Sequence, residues 1–376
     1  MDKKMKIAMI GHKRIPSREG GVEIVVEELA TRMVKDGYEV HAYNRGGSHV
    51  AGNEFNQKKV KEFKGVRILT IPTVNKKSLN ALLYSFFATI RALFGKYDVI
   101  HYHAEGPCAM LVIPHIFGIK TIATIHGLDW QRSKWGGFAT KYLKYGEKMA
   151  AKYADEVIVL SENVKKYFKD TYNRDVNYIE NGVNIPEQKP CKIIGDKFGL
   201  ERGKYILFLA RIVPEKGLHY LIEAYKKIDT DIKLVIAGSS SHSNDYCNDI
   251  VSMVKDDDRI VMTGFVQGDE LNELFSNCFM YVLPSDIEGM PLSLLEAMSY
   301  GCKCLVSDIP ENLETIQGHC DVFKHSDVIS LRQKLEEALS QEFERKNDNI
   351  QYVKERYNWD EITDRTLQLY QKIVGK

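Results

Sequence analysis

The chain has 376 residues, enough for about two domains at roughly 150 residues each, and each would be large enough to bury its own core. Seven cysteines (Cys108, Cys191, Cys247, Cys278, Cys302, Cys304 and Cys320) are odd in number and form no CxxC pair, which excludes a disulfide framework and a zinc ribbon and fits a reducing cytosol. The near-neutral balance of 52 basic and 51 acidic residues conceals a polarity, because residues 1–184 carry net +10 and the remainder net −9.

The opening MDKKMKIAMIG lacks the long apolar core and cleavage site of a signal peptide, so it reads as a buried first strand, and no run of about 18 apolar residues is present to span a bilayer. A cytoplasmic protein is expected, with the membrane face as a further candidate location. KIAMIG (6–11), EVHAY (39–43), DVIHYH (98–103), KTIATIHG (120–127) and EVIVLS (156–161) read as strands. They alternate with helices predicted at Val22 to Lys35, Leu79 to Gly95, Thr140 to Tyr153 and Glu162 to Thr171, and Gly37 closes the first of these. NGVNIPEQKP (181–190) reads as a linker. After it come KYILFLA (204–210), IKLVIAG (232–238), RIVMTGFV (259–266), FMYVLP (279–284) and KCLVSD (303–308), again separated by helices. The expected architecture is α/β, with two doubly wound Rossmann-like domains facing each other across a cleft.

Ligands of open α/β sheets sit beyond the carboxyl ends of the strands, so the residues after each apolar run are the candidates. Gly20 and Gly21 stand between the first strand and the first helix, without the GxGxxG or GK[ST] pattern of the nucleotide motifs. They permit close backbone approach, and they also fit a plain turn. His103 and His126 end two strands, and IHGLDWQRSKWG adds Asp129, Trp130, Arg132 and Lys134 behind His126. That mixture of aromatic and charged groups suits a carbohydrate or phosphate, while a buried structural histidine is the competing reading.

In the second half, RIVPEKG places Arg211 and Lys216 around a proline turn that follows a strand, where two cations suit a diphosphate. In SDIEGMPLSLLE (285–296), Pro291 suits the first helical position and Gly301 the helix exit. Gly289 and Met290 would then offer N–H groups at the positive end of a helix. Glu288 would lie at the mouth of the cleft, and Glu296 about one and a half turns into the helix, where it can accept from vicinal ribose hydroxyls. A capping acid and a solvated acid would explain either glutamate alone, but not their combination with the Arg/Lys loop. Asp229, Asp231 and Asp256 to Asp258 precede their strands, so they read as solvated loops and no metal site is expected.

These motifs together resemble the family 4 retaining glycosyltransferases of the GT-B fold. The likeness covers essentially the whole chain, with EGMP standing where Glu-Gly-Phe-Gly is more usual. It implies domains at 1–184 for the acceptor and 185–358 for the nucleotide sugar, with a helix at 359–376 that crosses back to the first. It further implies that Arg211 and Lys216 clamp the diphosphate in place of a metal, that Glu296 holds the ribose, and that Glu288 orients the donor sugar. The amides of Met290, Pro291 and Leu292 would lie along phosphate and sugar, and Gly264, Phe265 and Val266 along the base. Gly20, Gly21 and His126 would face the donor sugar and the acceptor.

Stretches such as HYHAEGPCAM and IHGLDWQRSKWG are similar to enzymes of bacterial capsule and O-antigen assembly, some of them rhamnosyltransferases. The expected reaction moves a hexose-type sugar from a dTDP- or UDP-linked donor to a glycan or lipid-diphosphate-linked saccharide, with retention and without a metal or other cofactor. No nucleic acid partner is expected. The alternatives are a GT-B-like sugar-nucleotide epimerase or phosphorylase, a glycosidase using the two glutamates, and a glycan-binding protein without activity. NKKSLNALLYSFFATIRALFGK (75–96) has apolar residues at helical spacing, which suits a core helix and an interfacial helix equally. The +10 charge of its half adds an anionic membrane surface to the expected partners.

Overall fold

The computed structural model describes residues 5–47, 60–74, 77–131, 137–239 and 244–375. The chain divides into two compact units, one made of residues 1–181 together with 359–376 and the other of 182–358. The first unit ends three residues before Asn184, the last residue of the predicted first domain, because Val183 already belongs to the second. Its side chain is buried in that core, and its N–H donates to the Tyr357 carbonyl at 2.8 Å. The rest of the predicted linker is dressed onto the same unit, with Gln188 donating to the Tyr300 carbonyl at 2.9 Å and the Lys189 N–H to Ser276 Oγ at 2.9 Å.

The first unit contains strands β1 (Lys6–Ile10), β2 (Glu39–Arg45), β3 (Glu62–Phe63), β4 (Val66–Ile71), β5 (Val99–His103), β6 (Lys120–Ile125), β7 (Glu156–Val159) and β8 (Asn177–Tyr178). They form one sheet in the order β3-β4-β2-β1-β5-β6-β7-β8, parallel except for the β3–β4 hairpin. That hairpin turns on Lys64 and Gly65, both at positive φ (47° and 81°), the two-residue geometry that matches the twist of the strands. The second unit holds β9 (Tyr205–Leu209), β10 (Lys233–Ala237), β11 (Ile260–Gly264), β12 (Met280–Leu283), β13 (Lys303–Ser307) and β14 (Asp321–Phe323), all parallel in the order β11-β10-β9-β12-β13-β14. In each sheet the strand order reverses beside the first strand, between β1 and β5 and between β9 and β12. Each unit therefore carries its own crevice at that reversal.

The strands are continuous apolar runs because helices cover both faces, and the central ones, β1, β5 and β12, are buried almost throughout. The first long helix, Gly21–Lys35, ends in a Schellman turn. The N–H of Gly37 bonds to Val34 and that of Tyr38 to Met33, with Gly37 at φ 86° as the left-handed conformation requires. The closing helix, Trp359–Val374, packs on the first unit through Trp359, Leu367 and Tyr370, and Arg365 pairs with Glu180 at 2.7 Å. Among the described residues, no helix is long and apolar enough to cross a membrane.

Candidate functional site

At the reversal point of the second unit, the loop after β9 meets the loop after β12. Pro214–Lys216 forms a single 3₁₀ turn, closed by the N–H of Gly217 on the Pro214 carbonyl at 2.9 Å. Gly217 lies at φ 64°, and a Cβ built on it would stand 1.9 Å from the Pro284 carbonyl oxygen. Only glycine lets the two backbones approach this closely. A second bridge, from the Asp286 N–H to the Glu215 carbonyl at 3.0 Å, fixes the same pair of loops.

The close approach sets Lys216 against Glu288. Their side chains are 14% and 6% exposed, and the ammonium bonds directly to Glu288 Oε1. The same carboxylate oxygen accepts from Ser285 Oγ at 2.7 Å. A charge pair so poorly hydrated interacts more strongly than a surface pair, and it holds the ammonium at the end of β9. Asp286 is held away from this pair by Tyr220 (3.3 Å) and Ser326 (2.8 Å).

Helix Leu292–Ser299 follows, with Pro291 as its N-cap at φ −79° and ψ 90°, one residue earlier than the expected first helical position. Proline has no N–H to give at either place, so the shift costs nothing. Glu296 lies half-buried in this helix, and Leu294, Leu295, Ala297 and Met298 anchor the buried face. Gly301, at φ 69°, and Cys302 close its end by bonding back to Met298 and Ala297. Gly289 and Pro291 are buried, whereas Met290 and Leu292 pack partly buried against the core. Arg211 is half-buried on the loop after β9.

Gly264 ends β11 exposed at φ 73°, with open space around its missing Cβ, followed by half-buried Phe265 and core-packed Val266. Of the acidic runs set aside as solvated loops, Asp257 is taken by Arg259 at 2.8 and 2.9 Å. No group of three potential metal ligands occurs among the described residues.

The reversal point of the first unit is lined by histidines. His12 follows β1, His101 and His103 lie in β5, and His126 follows β6. His103 Nδ1 and His126 Nε2 are 3.1 Å apart, and the rings of His101 and His103 lie tilted by 30° with centroids 4.1 Å apart. His101 also bonds Tyr370 of the closing helix at 2.6 Å and Thr124 at 2.7 Å. Asn44 donates its amide to the Ile15 carbonyl, so its oxygen faces His12 Nε2 at 2.9 Å and places the proton there.

Burial lowers His12 to a pKa of about 4 and His101 to about 3, and it holds His103 well below the ordinary range. These imidazoles are neutral hydrogen-bonding groups at pH 7. Among the described residues, His12 Nδ1 and His103 Nε2 are buried without a hydrogen-bond partner. The residue after His103, Ala104, adopts φ 71° and ψ 160°, a conformation that is nearly glycine's alone and that concentrates at binding loops. Gly20 caps the first helix in an extended conformation and Gly21 begins it exposed, while Glu23 reaches back to the Lys13 N–H at 2.8 Å.

Two family models match the chain, together covering most of it: glycosyltransferase family 4 over residues 19–186 and glycosyl transferases group 1 over residues 193–356. The chain is a family 4 glycosyltransferase. It is 27% identical to an uncharacterized glycosyltransferase of Methanocaldococcus jannaschii, an alignment that covers 97% of this chain and 98% of the relative. It is also 28% identical to the UDP-Gal:alpha-D-GlcNAc-diphosphoundecaprenol alpha-1,3-galactosyltransferase of Escherichia coli, over 61% of this chain and 62% of that one. Sucrose-phosphate synthase of Thermosynechococcus elongatus shares the GT-B fold at a TM-score of 0.83 and 19% identity, covering 99% of this chain and all of that one.

In this glycosyltransferase the fold brings Lys216, Glu288 and Gly289 to one reversal point, and His126 to the other beside His103. Arg132 and Lys134 lie outside the described residues. Trp130 is half-buried, with the Lys144 ammonium over its ring at 4.0 Å. Its indole N–H donates to Glu147 at 2.9 Å, and Tyr167 donates to the same fully buried carboxylate at 2.8 Å. Ser285, His12, His101 and Tyr370 were not singled out from sequence. His12 did carry a signal, since it follows a strand directly, whereas Tyr370 is joined to His101 across 269 positions and had none.

A glycosyltransferase with Gly217 changed to alanine is expected to lose about 2–4 kcal/mol, from the left-handed conformation and from the clash with Pro284. For a unit of this size that lowers Tm by roughly 5–15 °C. A calorimetric Tm within a degree of wild type would show that the loops part without cost.

Proposed function

We propose that this enzyme transfers a sugar from a UDP- or dTDP-linked donor to a saccharide carried on a lipid diphosphate, with retention of configuration and without a metal ion, in the assembly of a bacterial surface polysaccharide. The observation that carries the reading is the buried Lys216–Glu288 pair at the strand reversal of the second unit. An ammonium held there, beside Arg211 on the same loop, is suited to the negative charge that grows on a departing nucleoside diphosphate. Glu288 lies next to that charge and suits a hydroxyl of the transferred sugar, while Glu296, two turns of chain further on, suits the ribose. The amides of Gly289, Met290 and Leu292 and the backbone of Gly264 to Val266 would serve phosphate, sugar and base. The lipid-diphosphate acceptor is supported by the named substrate of the E. coli relative.

Retention follows in this scheme if the leaving diphosphate itself takes the acceptor proton on the face from which it departs. The acceptor oxygen bonds to the anomeric carbon as the bond to the diphosphate oxygen breaks, and no side chain is required as a covalent nucleophile. His103, held neutral by burial, and His126 beside it would exchange hydrogen bonds with sugar hydroxyls. The glycine pair at Gly20 and Gly21 would admit the donor sugar near the helix start.

The test is a melting panel with UDP, dTDP, GDP and ADP, followed by a transfer assay in EDTA. A ligand at about 100 times its Kd adds roughly 2.7 kcal/mol, so UDP or dTDP should raise Tm by several degrees. Nucleotide release that needs the acceptor and persists in EDTA is expected. Release without an acceptor would favour an epimerase or hydrolase, and loss of activity in EDTA restored by Mg²⁺ would end the metal-free part of the reading.

A further inference from the structure

Helix Lys77–Leu93 is inverted relative to a helix of an ordinary core. Its inward face presents small or hydroxyl-bearing side chains, with Tyr84, Ser85, Ala88, Thr89 and Ala92 all 0–1% exposed. Phe86 and Phe87 point the other way, 40% and 49% exposed, while Leu82, Leu83, Ile90 and Leu93 are half-buried. Phe94, just beyond the helix, is 80% exposed. A core helix would show the reverse, because burying phenylalanine removes far more apolar surface from water than burying alanine. The helix therefore joins the core by one face, through Tyr84, Ala88 and Ala92, and leaves its phenylalanines outward.

The inversion does not stop at one helix. Ile116 and Phe117, at the end of helix Val112–Ile116, are 73% and 66% exposed, and Phe138 in helix Gly137–Tyr153 is 79% exposed. These helices pack side by side on one face of the first sheet. Among the described residues, every exposed phenylalanine of the chain lies on this layer. Scattered apolar residues on a surface need no explanation, but five phenylalanines on one layer do.

Charge identifies the partner. Helices Lys77–Leu93 and Val112–Ile116 contain no acidic residue, and the single acid of Gly137–Tyr153, Glu147, is fully buried beneath Trp130. Arg91, Lys96, Lys141, Lys144, Lys148 and Lys152 are all exposed. A layer with aromatic side chains outward, cations among them and no exposed carboxylate is complementary to an anionic lipid surface. A second copy of the same face would bring like charges together.

We infer that the outward face of this helix layer docks the first unit on a membrane containing anionic lipid, with the phenylalanines entering the boundary between headgroups and acyl chains and the cations resting on the phosphates. The docking gives the lipid-linked acceptor of the proposed function its place, and in that respect it rests on that reading. The surface itself is testable without any donor or acceptor.

The experiment is co-sedimentation of the full chain with vesicles of phosphatidylcholine alone or with about one third phosphatidylglycerol, at low and high salt, with no sugar nucleotide present. Recovery with the anionic vesicles should be at least about tenfold higher and should fall as salt shortens the Debye length. Lys141→Gln with Lys148→Gln should weaken partitioning on the order of tenfold or more. Phe86→Ser with Phe87→Ser should abolish it, while Tm and UDP binding remain those of wild type. Equal recovery with both vesicle types, no recovery with either, or a concentration-dependent dimer that the serine changes dissolve would each overturn the inference. Docking with a failed nucleotide panel would leave the surface standing and the donor reading in error.

Discussion

Changing Lys216 to alanine is expected to lower kcat about 10²–10³-fold, the loss typical when one preorganised charge is removed from the site where a leaving group develops its own. Its effect on stability should be separable. The substitution leaves the Glu288 carboxylate, 6% exposed, with Ser285 as its remaining partner among those described above, and an uncompensated buried charge costs roughly 3–5 kcal/mol. Glu288→Gln removes that charge and keeps the shape. The double variant Lys216→Ala with Glu288→Gln should therefore recover most of the Tm lost by Lys216→Ala and none of its kcat. Glu288→Gln alone should chiefly lower kcat, and Glu296→Gln should chiefly raise the donor KM. Wild-type kinetics in Lys216→Ala would reduce the pair to a structural clasp.

The first unit should lose stability in mild acid. His12 and His101 are fully buried, with pKa values lowered to about 4 and about 3, chiefly by desolvation. Glu23 and the Asn44 hydrogen bond push His12 back up without overcoming burial, and Arg45 adds to the lowering. The unfolded chain takes up these protons near pH 6.5, whereas the folded chain resists until well below it. The stability is thus complete above pH 6.5 and is lost as pH falls toward the folded values. Each histidine contributes up to about 1.4 kcal/mol per pH unit in that window, and His103, lowered in the same direction, adds to the slope. Between pH 6.5 and 5 the loss is on the order of several kcal/mol. Calorimetry over that range should show the Tm of the first unit falling, with a shallower slope in His12→Asn. A Tm independent of pH from 7 to 5 would mean that the histidines are not buried neutral.

The histidines contribute nothing to the net +10 of the first half, which counts lysine and arginine against aspartate and glutamate. A substantial part of it lies on the outward helices, where Lys141, Lys148 and Lys152 stand exposed. The expectation of an anionic partner, drawn from composition, therefore points toward a surface as much as a crevice.

Long central strands were legible in the sequence because burial on both faces demands unbroken apolar runs, as in KIAMI and KYILFL. Strand β4, VRILTI, was passed over although the Lys64–Gly65 turn announces it. It pairs β3 on one side and β2 on the other and is only partly buried, so its composition is mixed. The short β8 and β14 owe their conformation to the neighbours they pair with rather than to their own residues. At the candidate site, position after a strand identified Arg211, Lys216 and Glu288 individually. The contact between Lys216 and Glu288 spans 72 positions and depends on how closely Gly217 approaches Pro284, which is a property of two backbones. The periodicity of residues 79–94 indicated an amphipathic helix but not its orientation, since Tyr84, Ala88 and Ala92 on the inward side and Phe86, Phe87 and Phe94 on the outward side each fit one stripe of a helix.

The return of helix Trp359–Val374 to the first unit has a consequence for biosynthesis. The first unit opens with residues 1–181, but its closing helix is made only after all of residues 182–358. At about 5–20 residues per second, the nascent chain waits roughly 10–35 s between leaving Asn181 behind and reaching Trp359. During that interval the second unit is complete in sequence, whereas His101 has no Tyr370 beside it and the apolar ground under Trp359 and Leu367 is uncovered. The order of completion is thus inverted with respect to the order of synthesis. A ribosome that stops a few codons before residue 359 releases a finished second unit attached to an open first one, the kind of species that chaperones and proteases recognise.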